Sequence, residues 1–309
     1  MLINNSIPIF LYEDKAILVI YSIFIVLTFI AILLTLAIAA VILSFKHLHT
    51  VTNFLTLNNC TAIVFGFLPI LLNITFYVFE KVITDQWCRI LAYFHYCSLT
   101  VISFSYVVQS LSRLLFIVYS KQRHIFTVKV HLLLISVHYL ISFLFPISSL
   151  ITKDITYRRH ALCLIPSAYL LHITYFYSYA FLIPMIIVVM VYLKIHHFVS
   201  QSKKRVRSMN EHFSKRDIQM IKTILILSSI FMLSAVPGVS YMLFRILRKE
   251  DSEHFYLICV SSIAMTMTAD KIYYIWVTKS IRTVLQNQLN SCFGKNSIQP
   301  GSFIIHSMR

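Results

Sequence analysis

The sequence predicts an all-α membrane protein: a bundle of seven transmembrane helices followed by a short amphipathic helix on the membrane surface. Three observations carry that expectation. Of 309 residues, 58% are hydrophobic and only 12% charged, whereas about a quarter are charged in an average soluble domain. The apolar residues come in long runs, and about 20 apolar residues are what a helix needs to cross a bilayer. Seven such runs follow one another, joined by short charged segments.

The first run, 16–45, lies between Lys15 and Lys46 and holds no charge. It is too long and wrongly flanked for a cleaved signal peptide. It is predicted to span the membrane and to act as the insertion signal, with 1–15 as an amino-terminal segment ahead of it. The second run, 51–79, is bounded by Lys46 and Glu80, and the third, 90–120, contains one strong charge, Arg113. The fourth covers 130–152, between Lys129 and Lys153, and the fifth covers 168–194. The sixth, 218–245, and the seventh, 255–278, complete the bundle. In the segment 280–309, Ile281, Val284, Leu285 and Leu289 repeat at helical spacing, with Arg282, Gln286 and Gln288 between them. That pattern predicts a helix lying on the membrane surface, followed by a tail. Cys292, at the helix end, is a position for a palmitoyl chain or a plain thiol.

The loop cations predict the orientation. With the amino terminus outside, the inner segments hold fourteen Lys and Arg residues and the outer segments seven. The positive-inside rule therefore places the amino terminus outside and the chain as a multi-pass protein of the plasma membrane. The formal net charge of +16 is a topology signal with membrane lipids as its partner, not a nucleic-acid footprint. Asn4-Asn5-Ser6 is a glycosylation acceptor pattern on the outer side. Six cysteines in so long a chain do not make a disulfide framework. Cys60, Cys97 and Cys259 fall inside spans and read as small hydrophobes.

The motifs go further. "HLHTVTNFLTLNN" (47–59), "WCRI" (87–90), "HALCLIP" (160–166), "SAVP" (234–237) and "DKIYY" (270–274) stand at the seven-span spacing of one family. Over about 17–290 the chain resembles a divergent rhodopsin-like (class A) G-protein-coupled receptor. The resemblance implies a disulfide between Cys88 and Cys163, on the oxidising side of the membrane. Arg113 stands 25 residues after Cys88, the family's spacing for the arginine of its Asp/Glu-Arg-Tyr motif. Twenty-five residues are roughly 37 Å of helix, which carries Arg113 from the outer end to the inner end. Pro184, and Tyr192 eight residues later, match the fifth span. Pro237 and Phe231 match the sixth, where a proline kink makes a hinge. Asp217, twenty residues before Pro237, is where the family often keeps an acidic partner for the arginine. Asp270 and Tyr274 match the seventh-span motif. The resemblance implies a switch of Arg113, Asp217, Tyr192 and Tyr274 that faces a heterotrimeric G protein, and an extracellular ligand at the other end.

This chain departs from the pattern in informative places. Ser112 and Leu114 replace the acid and the tyrosine around Arg113, and Ala235 replaces the sixth-span tryptophan. The family's sodium-binding aspartate aligns to Ile63, while Lys271 is a new cation beside Asp270. The expectation is that the Lys271 ammonium takes the place of the sodium ion, with Asp270, Asn58, Asn59 and Thr35 as partners. The alternative is a lysine extended towards the inner water layer. His95 stands where amine receptors carry an aspartate, and Ala264 where opsins carry the retinal lysine. His95, Tyr96, Phe176 and Tyr241 are candidates for an outer pocket taking a peptide or a small organic molecule. No metal-ligand motif, phosphate loop or nucleophile elbow occurs, so no enzyme activity, metal or cofactor is expected. A seven-span transporter or channel, or a receptor fold that no longer couples, stands as the competing reading.

Overall fold

A computed structural model describes residues 7–78, 84–118, 127–152, 155, 163, 165, 169–205, 211–248 and 254–292. Among them every regular element is helical. The helices are α1 (Ile7–Ser44), α2 (Val51–Val78), α3 (Asp85–Val118), α4 (Val128–Leu144), α5 (Ile147–Thr152) and α6 (Leu170–Tyr177). They continue as α7 (Ile183–Arg205), α8 (Glu211–Leu233), α9 (Val236–Arg248), α10 (His254–Val277) and α11 (Lys279–Cys292). Among the described residues six stretches are long and apolar enough to cross a bilayer. α10 has the length as well, but Asp270 and Lys271 dilute its hydropathy. Helices outrun hydrophobic runs at several ends. α1 takes in the charged Glu13, Asp14 and Lys15, and α7 continues to Arg205, because backbone hydrogen bonding does not stop where the hydrocarbon does.

α1 is apolar on every side, yet only one stripe faces inward. Tyr21, Phe24, Thr28, Ala31, Thr35, Ile38 and Ile42 are buried, at alternating spacings of three and four, as a helix seam requires. Val26, Phe29, Leu33, Leu36 and Leu43 are exposed, as large apolar side chains facing lipid should be. Small residues let helices approach closely. At Gly66 an added Cβ would meet Ile102 and Ser98 of α3 at 3.2–3.3 Å. α3, 34 residues long and so about 50 Å, is the central post, packing on α2, α4, α5, α7 and α8.

Three of the spans are interrupted, each beside a proline. Proline lacks an N–H and clashes with the carbonyl four residues back. Pro146 divides α4 from α5, and Ser149 turns both its amide and its hydroxyl to the Pro146 carbonyl. In the fifth span a π turn, Ser178–Leu182, ends two residues before Pro184, absorbing the missing bond as an extra residue in the turn. In the sixth span the helix tightens at Ser234 and Ala235, whose amides bond to Phe231 and Met232 three residues back. Pro237 follows at once in α9. The Ser234 carbonyl accepts from Ser262 of α10 at 3.1 Å.

One end of the bundle is closed by the disulfide Cys88–Cys163. Around it Ala92, Ile155, Ile165, Ile173 and Phe176 form a buried cluster. Arg89 Nε donates to the Ile155 carbonyl, and the Ile165 amide donates to the Tyr96 hydroxyl. At the other end Ile281 of α11 is fully buried against Ile38, Val41, Ile42 and Cys60. Cys60, Cys97 and Cys259 are buried free thiols.

Gly238, next to Pro237, lies under the Tyr177 ring. A Cβ there would overlap the Tyr177 hydroxyl, Cζ and Cε1. Gly238→Ala is therefore expected to push the ring off α9 and to cost about 1–3 kcal/mol. Adding Tyr177→Ala should remove most of that extra cost. Thermal unfolding of the two single variants and the double variant in detergent checks this. Simple additivity would show that the ring and the glycine do not interact.

Candidate functional site

The strongest polar group within the bundle is an ion pair. Lys271 is 3% exposed and Asp270 1%, and Lys271 Nζ lies 2.9 Å from Asp270 Oδ2. Lys271 Nζ also donates to Asn59 Oδ1 at 2.7 Å, and Asn59 Nδ2 donates to Ser105 Oγ at 2.6 Å. Ser105 Oγ in turn donates to the Ile102 carbonyl at 2.7 Å. The chain of bonds joins α10, α2 and α3. A buried charge is tolerable only when paired and hydrogen-bonded, and Lys271 has both kinds of partner. Asp270 Oδ1 and the Tyr106 hydroxyl are sealed from solvent without a partner of hydrogen-bonding geometry among the described residues. Of the other expected partners, Thr35 donates to its own helix at the Ala31 carbonyl. Asn58 is half-buried and makes no bond to Lys271.

Arg113 lies further along α3 and is half-buried. Its Nη2 donates to Thr52 Oγ1 of α2 at 2.6 Å. One turn along α2, Thr56 Oγ1 accepts from the Tyr274 hydroxyl at 3.2 Å. Two threonines four residues apart share a helix face, so α2 holds both the α3 arginine and the α10 tyrosine. Tyr192 of α7 is buried with Val107, Leu114 and Ile224, and no described residue bonds its hydroxyl. Asp217 falls within α8, but its side chain lies outside the described residues, as does that of Cys292 in α11; Asn4 is outside them altogether.

Ser112, which stands in place of the acid before Arg113, turns towards α4. Its hydroxyl is 2.9 Å from His131 Nε2, and His131 Nδ1 is 3.1 Å from the Thr127 carbonyl. A carbonyl can only accept, so Nδ1 carries the proton and Nε2 accepts from Ser112. The position ties the third span to the fourth and leaves Arg113 to other partners.

Near the disulfide end a cavity opens between α3, the fifth span and α10. His95, Tyr96, Leu99, Phe176, Phe181 and Ile263 are among the residues lining it. Three of the four expected ligand-pocket residues are therefore together. Tyr241 is buried in α9 but is not part of the lining. Below the cavity the aromatic rings continue as a ladder. Tyr177 stacks on Phe181 at 5.6 Å, Phe181 on Phe231 at 5.4 Å, and Phe231 on Tyr106 at 5.6 Å. Ala235 packs in the same cluster. Tyr106 is Asp270's neighbour, so the rings reach from the cavity to the ion pair. Thr52, Thr56, Ser105, His131 and Tyr177 were not singled out from the sequence. The pair of threonines in "VTNFLTLNN" was the only signal, and it does not tell which helix will face them.

Removing one member of the buried pair leaves the other uncompensated, at about 3–5 kcal/mol. Lys271→Met and Asp270→Asn are each expected to lower thermal stability on that scale. The double variant should lose clearly less than the sum. Unfolding midpoints of the four proteins, read with and without added sodium, check this. Wild type should not respond to sodium if the ammonium fills the site, and an additive double variant would mean that the pair is not coupled.

The family model for 7 transmembrane receptors of the rhodopsin family matches residues 35–274. No curated protein matches the chain closely enough to count as a relative. The match runs from Thr35 of the first span to Tyr274 of the seventh and takes in the cavity, the ion pair and Arg113. The chain is a multi-pass membrane protein, not an enzyme, and belongs to the rhodopsin-like (class A) family of G-protein-coupled receptors.

Proposed function

We propose that the protein converts binding of an extracellular ligand in the His95 cavity into activation of a heterotrimeric G protein at the Arg113 end. The observation that carries this reading is the aromatic ladder from the cavity wall to Tyr106. His95 and Arg113 are 18 residues apart on α3, about 27 Å, and the ladder covers much of that distance through the interior. A ligand that fills the cavity takes up the space beside Tyr177 and Phe181 and presses them inward, so Phe231, stacked on Phe181, responds, and Phe231 sits one turn before the break at Ser234 and Ala235. The sixth span then swings about Pro237, opening a cavity floored by Arg113, Tyr192 and Tyr274. In the resting state Asp217 pairs with Arg113 across the helix interface.

In this reading the disulfide end and the amino terminus face outward in the plasma membrane. The basic segment "SKKRVRSMNEHFSKRD" faces the G protein and the anionic inner leaflet. Loop cations support that orientation, fourteen against seven. Asn4 is a glycosylation site outside and Cys292 a lipidation site inside.

Nucleotide exchange on co-expressed G proteins tests the proposal. Arg113→Ala is expected to abolish basal and ligand-driven exchange, while Asp217→Ala should raise basal exchange several-fold, both at normal surface expression. Exchange unaffected by Arg113→Ala would overturn the coupling role, and unchanged basal exchange in Asp217→Ala would remove the resting-state pair.

A further inference from the structure

The walls of the cavity restrict the chemistry of what can enter. Among the described residues, no Asp, Glu, Lys or Arg lines it. Phe176, Phe181, Tyr177, Leu99, Val260 and Ile263 supply flat or branched apolar surface. Of the polar groups, the Tyr96 hydroxyl already accepts the Ile165 amide at 3.1 Å, and the Tyr96 ring is stacked on Phe176 at 4.3 Å. His95 is different. It is 5% exposed, its Nδ1 is sealed from solvent without a partner, and neither of its ring nitrogens bonds to a described residue. Nε2 is not sealed in this way, so it is the ring nitrogen that a molecule in the cavity reaches, and an unpartnered imidazole in an apolar wall is a cost to the empty protein that an oxygen bound there would reduce.

A carboxylate or an ammonium entering this space would lose its water and meet no counter-charge among the described lining residues, which is unfavourable. A hydroxyl or a carbonyl loses far less and finds His95. Aromatic walls favour a flat apolar body offset against their rings. We propose that the cavity takes an uncharged, largely apolar molecule carrying a ring and a single hydroxyl or carbonyl oxygen, which hydrogen-bonds to His95. This rests on the reading of the cavity as the ligand site and adds the class of ligand.

Four probes that share one aromatic body separate the terms: 2-phenylethanol, 2-phenylethylamine, phenylacetate and ethylbenzene. Each is added in the millimolar range to the purified full chain in lipid nanodiscs, and the unfolding midpoint is read against concentration, because a ligand that binds only the folded state raises it. The alcohol is expected to raise the midpoint at concentrations where the amine and the carboxylate do not. His95→Ala should weaken the alcohol about tenfold and leave ethylbenzene unchanged, and His95→Gln should restore most of the alcohol's effect. A charged probe that stabilises as well as the alcohol would overturn the proposed class, as would an alcohol indifferent to His95→Ala. If His95→Ala does not fold, the comparison of charge states on the wild type still decides. Should all four probes fail while Arg113-dependent exchange persists, the cavity is not the ligand site, and the receptor reading stands without it.

Discussion

Hydrocarbon offers a polar group nothing to bond to, and that constraint organises the interior of this protein. Most hydroxyls satisfy it locally. Thr35, Ser103 and Thr266 each donate to a carbonyl of their own helix, four residues back, and these bonds place no demand on neighbouring helices. Lys271 cannot do this. Its ammonium needs a counter-charge and further acceptors, and it finds Asp270 beside it and Asn59 on α2. Asn59 in turn needs Ser105 of α3. One buried cation thus fixes the relative position of three helices, at the depth where the aromatic ladder ends.

The same constraint governs the three interrupted spans. A helix that loses a bond at proline must satisfy the freed carbonyl inside the protein. Each break is solved differently: the Thr100 hydroxyl lies 3.3 Å from the Ser142 carbonyl, four residues before Pro146, a π turn precedes Pro184, and a tightened turn precedes Pro237 with Ser262 reaching the Ser234 carbonyl. The break beside Pro237 also bears on the cavity. It brings Gly238 under Tyr177, so the cavity wall rests on the helix that follows the break. Ala235, small where the family has tryptophan, leaves Phe181 and Phe231 to fill the centre of the bundle.

Arg113 illustrates how neighbours redirect a shared element. Position 112 holds a serine in place of the acid, and Ser112 is engaged by His131. Thr52 of α2 accepts from the guanidinium, one turn from the threonine that holds Tyr274. The third and seventh spans are therefore linked through the second at this end, and the ion pair links the same three spans deeper in the bundle.

Much of this was legible in the chain alone. Runs of apolar residues determined seven spans, because a bilayer demands a minimum length of hydrophobic helix. The spacing from Cys88 to Arg113 determined that one helix joins the disulfide end to the arginine end, since rise per residue is constant. The Asp270-Lys271 pair declared itself as two opposite charges inside an apolar run. What the chain could not declare were the faces. α1 is apolar all round, so no pattern in it separates the side towards lipid from the side towards α2 and α10. For the same reason Thr52 as an acceptor for Arg113, His131 at Ser112, and the position of Tyr241 outside the cavity lining depended on rotation and register of packed helices. Those are set by the sum of many contacts between residues distant in sequence. Hydropathy determined which segments enter the membrane, and only tertiary packing decided which side chains meet there.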